Sequence, residues 1–290
     1  MAGRKICSDV EALERGFSGE EAAQRRRILR ETIEAFEKAS PPDRFHRIAW
    51  QNIERWQRER IVEAEQCKIK ILAGDWGEVT GSLTEEYGAC FAVLNMANAW
   101  VPGGAYVEGA IAQEENMFRR TDCHFNIDEK EFDEELDRYR PEMTRLISAT
   151  DGVVFLDKVA PRVCIRGPED RARTDFGYDW LRDEEIFPFF ELRAAAQDLR
   201  SGVKFDSAEA RKRIVAQLET LRQNQIRHAV LGAFGCGAFK NPADQVAAIY
   251  REEIASRQAD FSVIAFAIFS AGYGPDNYTP FAKEFKQIKD

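Results

Sequence analysis

Two adjacent carboxylates, Glu114 and Glu115, stand shortly after a glycine turn, and no other stretch of this sequence concentrates so much possible chemistry. Gly103 and Gly104 let the backbone turn tightly and approach a ligand with no Cβ in the way. Gln113, Glu114 and Glu115 follow seven residues after Ala105, where a helix is expected to begin. Neighbours on a helix point ~100° apart, so both carboxylates can border one cavity without facing each other. Beside a sugar, such a pair suits work on a glycosidic bond through an oxocarbenium-like transition state. Burial and mutual repulsion would raise the pKa of one of them, while a helix N-terminus favours the anion. A solvated first turn is the ordinary reading of a Glu-Glu pair, but the small, apolar residues of 105–112 fit a buried loop better.

A second glycine loop spans 231–245, with Gly232, Gly235 and Gly237 ahead of a helix expected to start at Asn241 with Pro242 in its first position. Successive backbone N–H groups there (Gly235, Cys236, Gly237, Ala238, Phe239) can form a nest for a diphosphate, and Phe239 can cover a ribose or base. The likeness to a dinucleotide fingerprint is superficial, since Lys240 replaces the third glycine. A glycine turn that merely permits close strand–helix packing is the competing reading. Asn95 and Asn98 are delivered to the edge of an apolar run, 90–94, as ligand contacts. Asp75 ends another run, either to accept from an exocyclic amine such as that of adenine or to cap a helix. Asp122-Cys123-His124 lacks the spacing that brings metal ligands to one point, and the three histidines are not clustered. Phe176, Tyr178 and Trp180 are either a lid over the cleft or loop anchors.

The elements that must hold these groups follow from periodicity. At 290 residues, 44% hydrophobic and 31% charged, the chain can bury a full core. Residues 9–66 are helical in character, with an N-cap signal at Ser18-Gly19-Glu20-Glu21, a break at Pro41-Pro42 and a second helix from about Asp43. From Cys67 strands and helices alternate. Strands are expected in 67–75, 88–96, 153–157, 162–167, 189–195, 228–235 and 261–269, and helices in 128–146, 208–223, 242–256 and 278–288. The acidic 128–146 helix should present a solvated face. The fold class is therefore α/β: a mixed, mostly parallel sheet between helices, with a helical N-terminal extension, 1–66, packed on a 67–290 domain. Ligands of such sheets sit beyond the strand C-termini, where all three loops lie.

A formal charge of −9 argues against nucleic-acid backbone binding but not against a small phosphorylated ligand. Six scattered cysteines without a C-x-x-C pair fit a reducing compartment. No apolar run approaches ~18 residues and no signal-peptide core opens the chain, so a cytoplasmic protein without a membrane span is expected, export by a non-Sec route being left open.

Taken together, the motifs resemble those of microbial-type poly(ADP-ribose) glycohydrolases, which are built on a macrodomain. Gly103-Gly104-Ala105 followed by Gln113-Glu114-Glu115 looks like that family's G-G-G…Q-E-E signature. VLN before the glycines, LGAFGCGAF and its NP, and the late NYTPFAKEF support the likeness over roughly Ile28–Lys286. The resemblance implies a macrodomain that hydrolyses the glycosidic link of ADP-ribose on ADP-ribosylated proteins, with no cofactor and no metal. It makes Glu115 the catalytic residue, with Glu114 and Asn98 holding the distal ribose and Gly103 and Gly104 forming the loop that approaches it. It makes 235–239 the diphosphate loop and Asp75 the adenine reader. The third glycine of the triplet is here Ala105. Were φ > 0 required there, a Cβ would cost on the order of 1 kcal/mol and narrow the pocket, which makes removal of single ADP-ribose units as plausible as cleavage of chains. A non-catalytic ADP-ribose reader and a site for another nucleotide remain the alternatives.

Overall fold

Strand β2 (Phe91–Met96) is apolar along most of its length because both of its faces are covered. In the computed structural model, which describes residues 3–59, 66–270 and 274–286, Phe91 and Val93 enter one apolar core and Ala92 and Leu94 the other. The six-stranded sheet runs β1 (Lys68–Ala73), β8 (Val263–Ile268), β7 (His228–Leu231), β2, β6 (Phe187–Ala194), β5 (Phe155–Cys164). All neighbours pair in parallel except β5, which is antiparallel to β6. This is the mixed, mostly parallel sheet between helices that the alternation implies.

One face carries α7 (Ser207–Gln223), α8 (Ala243–Ala255) and α9 (Tyr278–Lys286). The other carries α2 (Glu20–Glu37), α3 (Arg44–Arg58), α4 (Trp76–Tyr87) and α5 (Gln113–Arg120). Leu29, Ile53 and Trp56 share one core with Trp76, Val93, Phe118 and Phe189. Each such side chain buried contributes about 1.5–3 kcal/mol, so the N-terminal helices and the sheet face depend on a common core. Two short helices, α1 (Asp9–Glu14) and α6 (Pro141–Ile147), a hairpin of β3 (Phe132–Asp133) with β4 (Arg138–Tyr139), and short 3-10 turns at Asp122–Asn126, Asp183–Glu185 and Gln258–Asp260 complete the described elements. No helix among the described residues is long and apolar enough to cross a membrane.

Three expectations are corrected. The acidic 128–146 stretch is not one helix. Asp128 and Asp133 accept hydrogen bonds from backbone N–H groups two and three residues on, and these local turns compete with helix. Phe132 and Tyr139 are buried, and Tyr139 N–H donates to Trp100 O at 2.8 Å, so a hairpin forms and only 141–147 is helical. The segments 153–157 and 162–167 belong to one strand, β5, whose register shifts between Asp157 and Arg162 because Asp157 Oδ1 accepts from Val159 and Ala160. Gly19, at φ 113°, and not Ser18, precedes α2; the paired Ser–Glu cap forms earlier, at Ser8 and Glu11. The expected helical residues 60–65 and 287–288 lie outside the described residues.

Candidate active site

The parallel strands end at one edge of the sheet, so Asp75, Asn98 and the 232–241 loop are gathered there. Helix α5 crosses beside them. Its sequence, QEENMFRR, is strongly polar, yet every residue after Gln113 is buried. A helix of that composition survives burial only if its charges are paired. Carboxylates at its start and arginines at its end also suit the helix dipole. Arg119 donates to Ala110 O at 2.6 Å and to Tyr178 Oη at 2.8 Å. Arg120 pairs with Asp75, donates to Arg166 O at 3.0 Å and lies 4.7 Å over the Trp76 ring.

At the other end, the glycine turn wraps the two glutamates with backbone N–H groups. Glu114 accepts from Asn98 N at 2.7 Å and from Gly103 N at 3.1 Å. Glu115 accepts from Ala105 N at 3.0 Å through Oε1, while its buried Oε2 has no hydrogen-bond partner among the described residues. Burial pushes the Glu114 carboxyl well above the ordinary range, the charge of Glu115 adds to this, and the Asn98 N–H opposes it. Burial likewise pushes Glu115 up, against the Ala105 N–H and Arg119. The chain can come this close only without a side chain. A Cβ on Gly104, which sits at φ +57°, would lie 2.4 Å from Glu115 Oε1 and 3.1 Å from Glu114 Oε2. Ala105, by contrast, is not among the residues at positive φ, so its Cβ strains nothing and the feared penalty is absent.

Gln113 fastens α5 to the strand it follows: its Oε1 accepts from Met96 N at 2.9 Å and its Nε2 donates to Leu94 O at 2.9 Å. Asn98 Oδ1 accepts from Trp100 N and Val101 N, which turns the chain toward the glycines. Asn95, expected at a ligand, is fully buried in the sheet and donates to Glu191 at 2.8 Å. Strand alternation places its side chain on the same face of the sheet as Phe91 and Val93, the face that α5 covers. Asp75 caps α4 through Gly77 N and Glu78 N, and these bonds and the Arg120 pair all use Oδ1.

In the second loop, Gly235 takes φ +74°, where a Cβ would lie 2.5 Å from Ala196 Cβ. Gly237 and Ala238 are exposed, and their N–H groups and that of Phe239 form no hydrogen bond among the described residues. Cys236 points inward, and burial pushes its thiol up to about 12. Lys240, which replaces a fingerprint glycine, adopts φ 60°. Asn241 staples the loop by donating to Gly235 O at 3.1 Å and Gln197 O at 2.7 Å, and α8 starts two residues later. Arg200 lies 4.9 Å over the Phe239 ring, is held by Asp198, and feels the charge of Glu115.

The remaining motifs are structural. Asp122 pairs with His46 at 2.9 Å, and His124 meets Tyr106 Oη at 3.0 Å. Tyr178 is an anchor, donating to Glu169 at 2.7 Å. Phe176 and Trp180 lie under Arg25 and Arg166. Sequence reading missed Arg4, which donates to carbonyls of the glycine turn. It also missed Arg200 and the buried Glu191–Arg162–Arg193 group below Asn95. For that group a signal existed, since charges alternate inside the apolar run FPFFELRA.

Comparison with known proteins points one way. A family model described as "Microbial-type PARG, catalytic domain" matches residues 8–159, more than half of the chain. No curated protein matches. Among solved structures, poly(ADP-ribose) glycohydrolase from Thermomonospora curvata bound to the inhibitor ADP-HPD superposes with a TM-score of 0.61 at 21% identity, covering 91% of this chain and 100% of that one. A second structure of the Thermomonospora curvata enzyme gives 0.62 at 21% identity, with the same coverage. The Deinococcus radiodurans enzyme in complex with ADP-ribose gives 0.56 at 21% identity, covering 82% of this chain and 91% of that one. These structures carry the fold.

Proposed function

The chain belongs to the microbial-type PARG catalytic-domain family, and from that premise we propose that it hydrolyses the glycosidic bond of ADP-ribose on ADP-ribosylated proteins, with Glu115 as general acid and base. The observation that carries the role of Glu115 is its divided carboxyl: Oε1 is anchored by Ala105 N–H, and Oε2 is buried without a partner. An unpaired buried oxygen is unfavourable unless something arrives to meet it. The leaving oxygen of the glycoside supplies that partner. Protonated at Oε2, Glu115 gives its proton to this oxygen as the bond to the anomeric carbon breaks; ionised, it takes a proton from the water that adds to the same carbon. The raised pKa supports the acid half of the cycle.

Glu114, fixed by the backbone N–H groups of Asn98 and Gly103, keeps lone pairs for hydroxyls of the distal ribose. The open N–H groups of 237–239 receive the diphosphate, and Phe239, backed by Arg200, covers the adjoining ribose. Asp75 Oδ2 is left for the adenine amine. The ligands held by the Thermomonospora curvata and Deinococcus radiodurans enzymes support ADP-ribose as the bound unit.

The test is release of ADP-ribose from Ser-, Arg- and Glu-linked mono-ADP-ribosylated proteins and from poly(ADP-ribose). Release from at least one is expected; ADP-ribose binding without release from any would make the protein a reader. A second variant probes the turn. Gly104→Ala pushes a methyl against Glu115 Oε1 and holds a Cβ at positive φ, so release should fall about 10²-fold, the usual consequence of an ångström-scale misplacement. Unchanged release in that variant would show that the carboxyl position is not critical.

A further inference from the structure

We propose that Arg4 is a positioning residue of this site, orienting the two peptide groups whose N–H ends hold Glu114 and Glu115. The geometry is a relay through planar amides. In a trans peptide the C=O and the following N–H point in opposite directions within one rigid plane. Arg4 Nη1 donates to Pro102 O at 3.1 Å and to Gly104 O at 2.6 Å. The far ends of those same two planes are Gly103 N–H, which donates to Glu114 Oε1 at 3.1 Å, and Ala105 N–H, which donates to Glu115 Oε1 at 3.0 Å. One nitrogen thus fixes both donors, and its charge polarises both peptides toward the carboxylates.

Arg4 is itself held for this purpose. Its side chain is 2% exposed, with Nε and Nη2 on Asp137 at 2.7 Å each and Glu108 at 3.6 Å. Asp137 sits at φ 51° in the β3–β4 turn, a left-handed turn position that Asp tolerates. The arm leading to Arg4 lies close against the protein: a Cβ on Gly3 would fall 2.2 Å from His124 Nε2, and Cys7 N–H donates to Val107 O. Lysine cannot reproduce the fork that serves two carbonyls and a carboxylate at once. The N-terminal extension therefore supplies part of the site, although no residue of it need touch the substrate.

The inference rests on the hydrolase reading only for its catalytic consequence. The experiment compares full-length wild type, R4Q, R4K and D137N by ADP-ribose release and by 1H–15N NMR of the Gly103 and Ala105 amides. In R4Q both amide protons are expected to move upfield as their bonds to the carboxylates loosen, with kcat about 10²-fold lower and KM changed much less. R4K should recover part of each change. The alkaline limb of the rate profile should move to higher pH, because Glu115, which acts first as an acid and is faced also by Glu114, Glu108, Arg119 and Arg200, loses the Ala105 N–H that opposes burial. If R4Q does not fold, R4K and D137N must show the same amide movement. Amide resonances unmoved in every folded variant would overturn the relay, whatever the activity. No release by wild type, with the amides still moved in the variants, would sink the hydrolase reading alone.

Discussion

Glu115→Gln is expected to lower ADP-ribose release by about 10²–10⁴-fold, the range for loss of a positioned general acid or base, while the protein unfolds at the same temperature or a higher one. The two halves have one cause. Glu115 is a buried carboxyl whose pKa is raised by burial, so its charge disfavours the folded state. A group bound to its proton more tightly when folded contributes least to stability at high pH and more as pH falls through its raised value. Gln removes that charge and keeps the shape, including the acceptor for Ala105 N–H. The stability gained over wild type should therefore be greatest at neutral and higher pH and should vanish in acid. Each kcal/mol gained raises the midpoint by about 2–4 °C in a chain approaching this size. Single-turnover release, thermal unfolding across pH and calorimetry with ADP-ribose read the three quantities separately. A variant that binds ADP-ribose and hydrolyses at the wild-type rate removes Glu115 from the mechanism. A variant that is markedly less stable would mean that the carboxylate is held for structure.

The layout behind this result was legible in the sequence because it is local. Cys90 to Leu94, the glycines and Gln113 to Glu115 fall within one strand, one turn and one helix, and each announces itself through period or φ requirement. What was illegible depends on long-range pairing. Nothing near Arg4 hints that it meets carbonyls about a hundred residues away. The partner of Asn95 was illegible because it lies on another strand: its side chain donates to Glu191, while the backbone N–H of Asn98, in the turn beyond, donates to Glu114. The 128–146 stretch misled because its Glu and Asp content suits helix, yet Asp128 and Asp133 spend their side chains on local turns. Ala105 looked out of pattern only while its φ was unknown; its N–H matters more than its Cβ.

The second large effect concerns a carboxylate that titrates with the opposite sign. Glu191→Gln is expected to cost about 3–5 kcal/mol of stability at pH 7, as removal of one partner from a buried ion pair usually does. Glu191, Arg162 and Arg193 are all fully buried. Both Glu191 oxygens are saturated: Oε1 by Asn95 at 2.8 Å and Arg193 Nε at 2.7 Å, Oε2 by Arg162 Nε and Arg193 Nη2 at 2.9 Å each. Gln leaves two buried guanidiniums whose one remaining ion pair among the described residues is that of Arg162 with Asp157. Urea unfolding measures the loss, and Asp179→Asn, which breaks an exposed pair with Arg173, should leave the midpoint in place. A loss for Glu191→Gln no larger than that control would show that the buried pair adds nothing. The pH dependence separates this carboxylate from Glu115. Burial pushes Glu191 up, but Arg193 and Arg162 together pull it down to about 2. Its contribution is thus complete above the unfolded value of about 4.3 and fades as pH falls from there through about 2. Acidification should therefore close the gap between wild type and Glu191→Gln by weakening wild type, and close the gap to Glu115→Gln by strengthening it. Both are buried glutamates; what divides them is that Glu191 faces arginines on both oxygens, while Glu115 has one oxygen without a partner among the described residues.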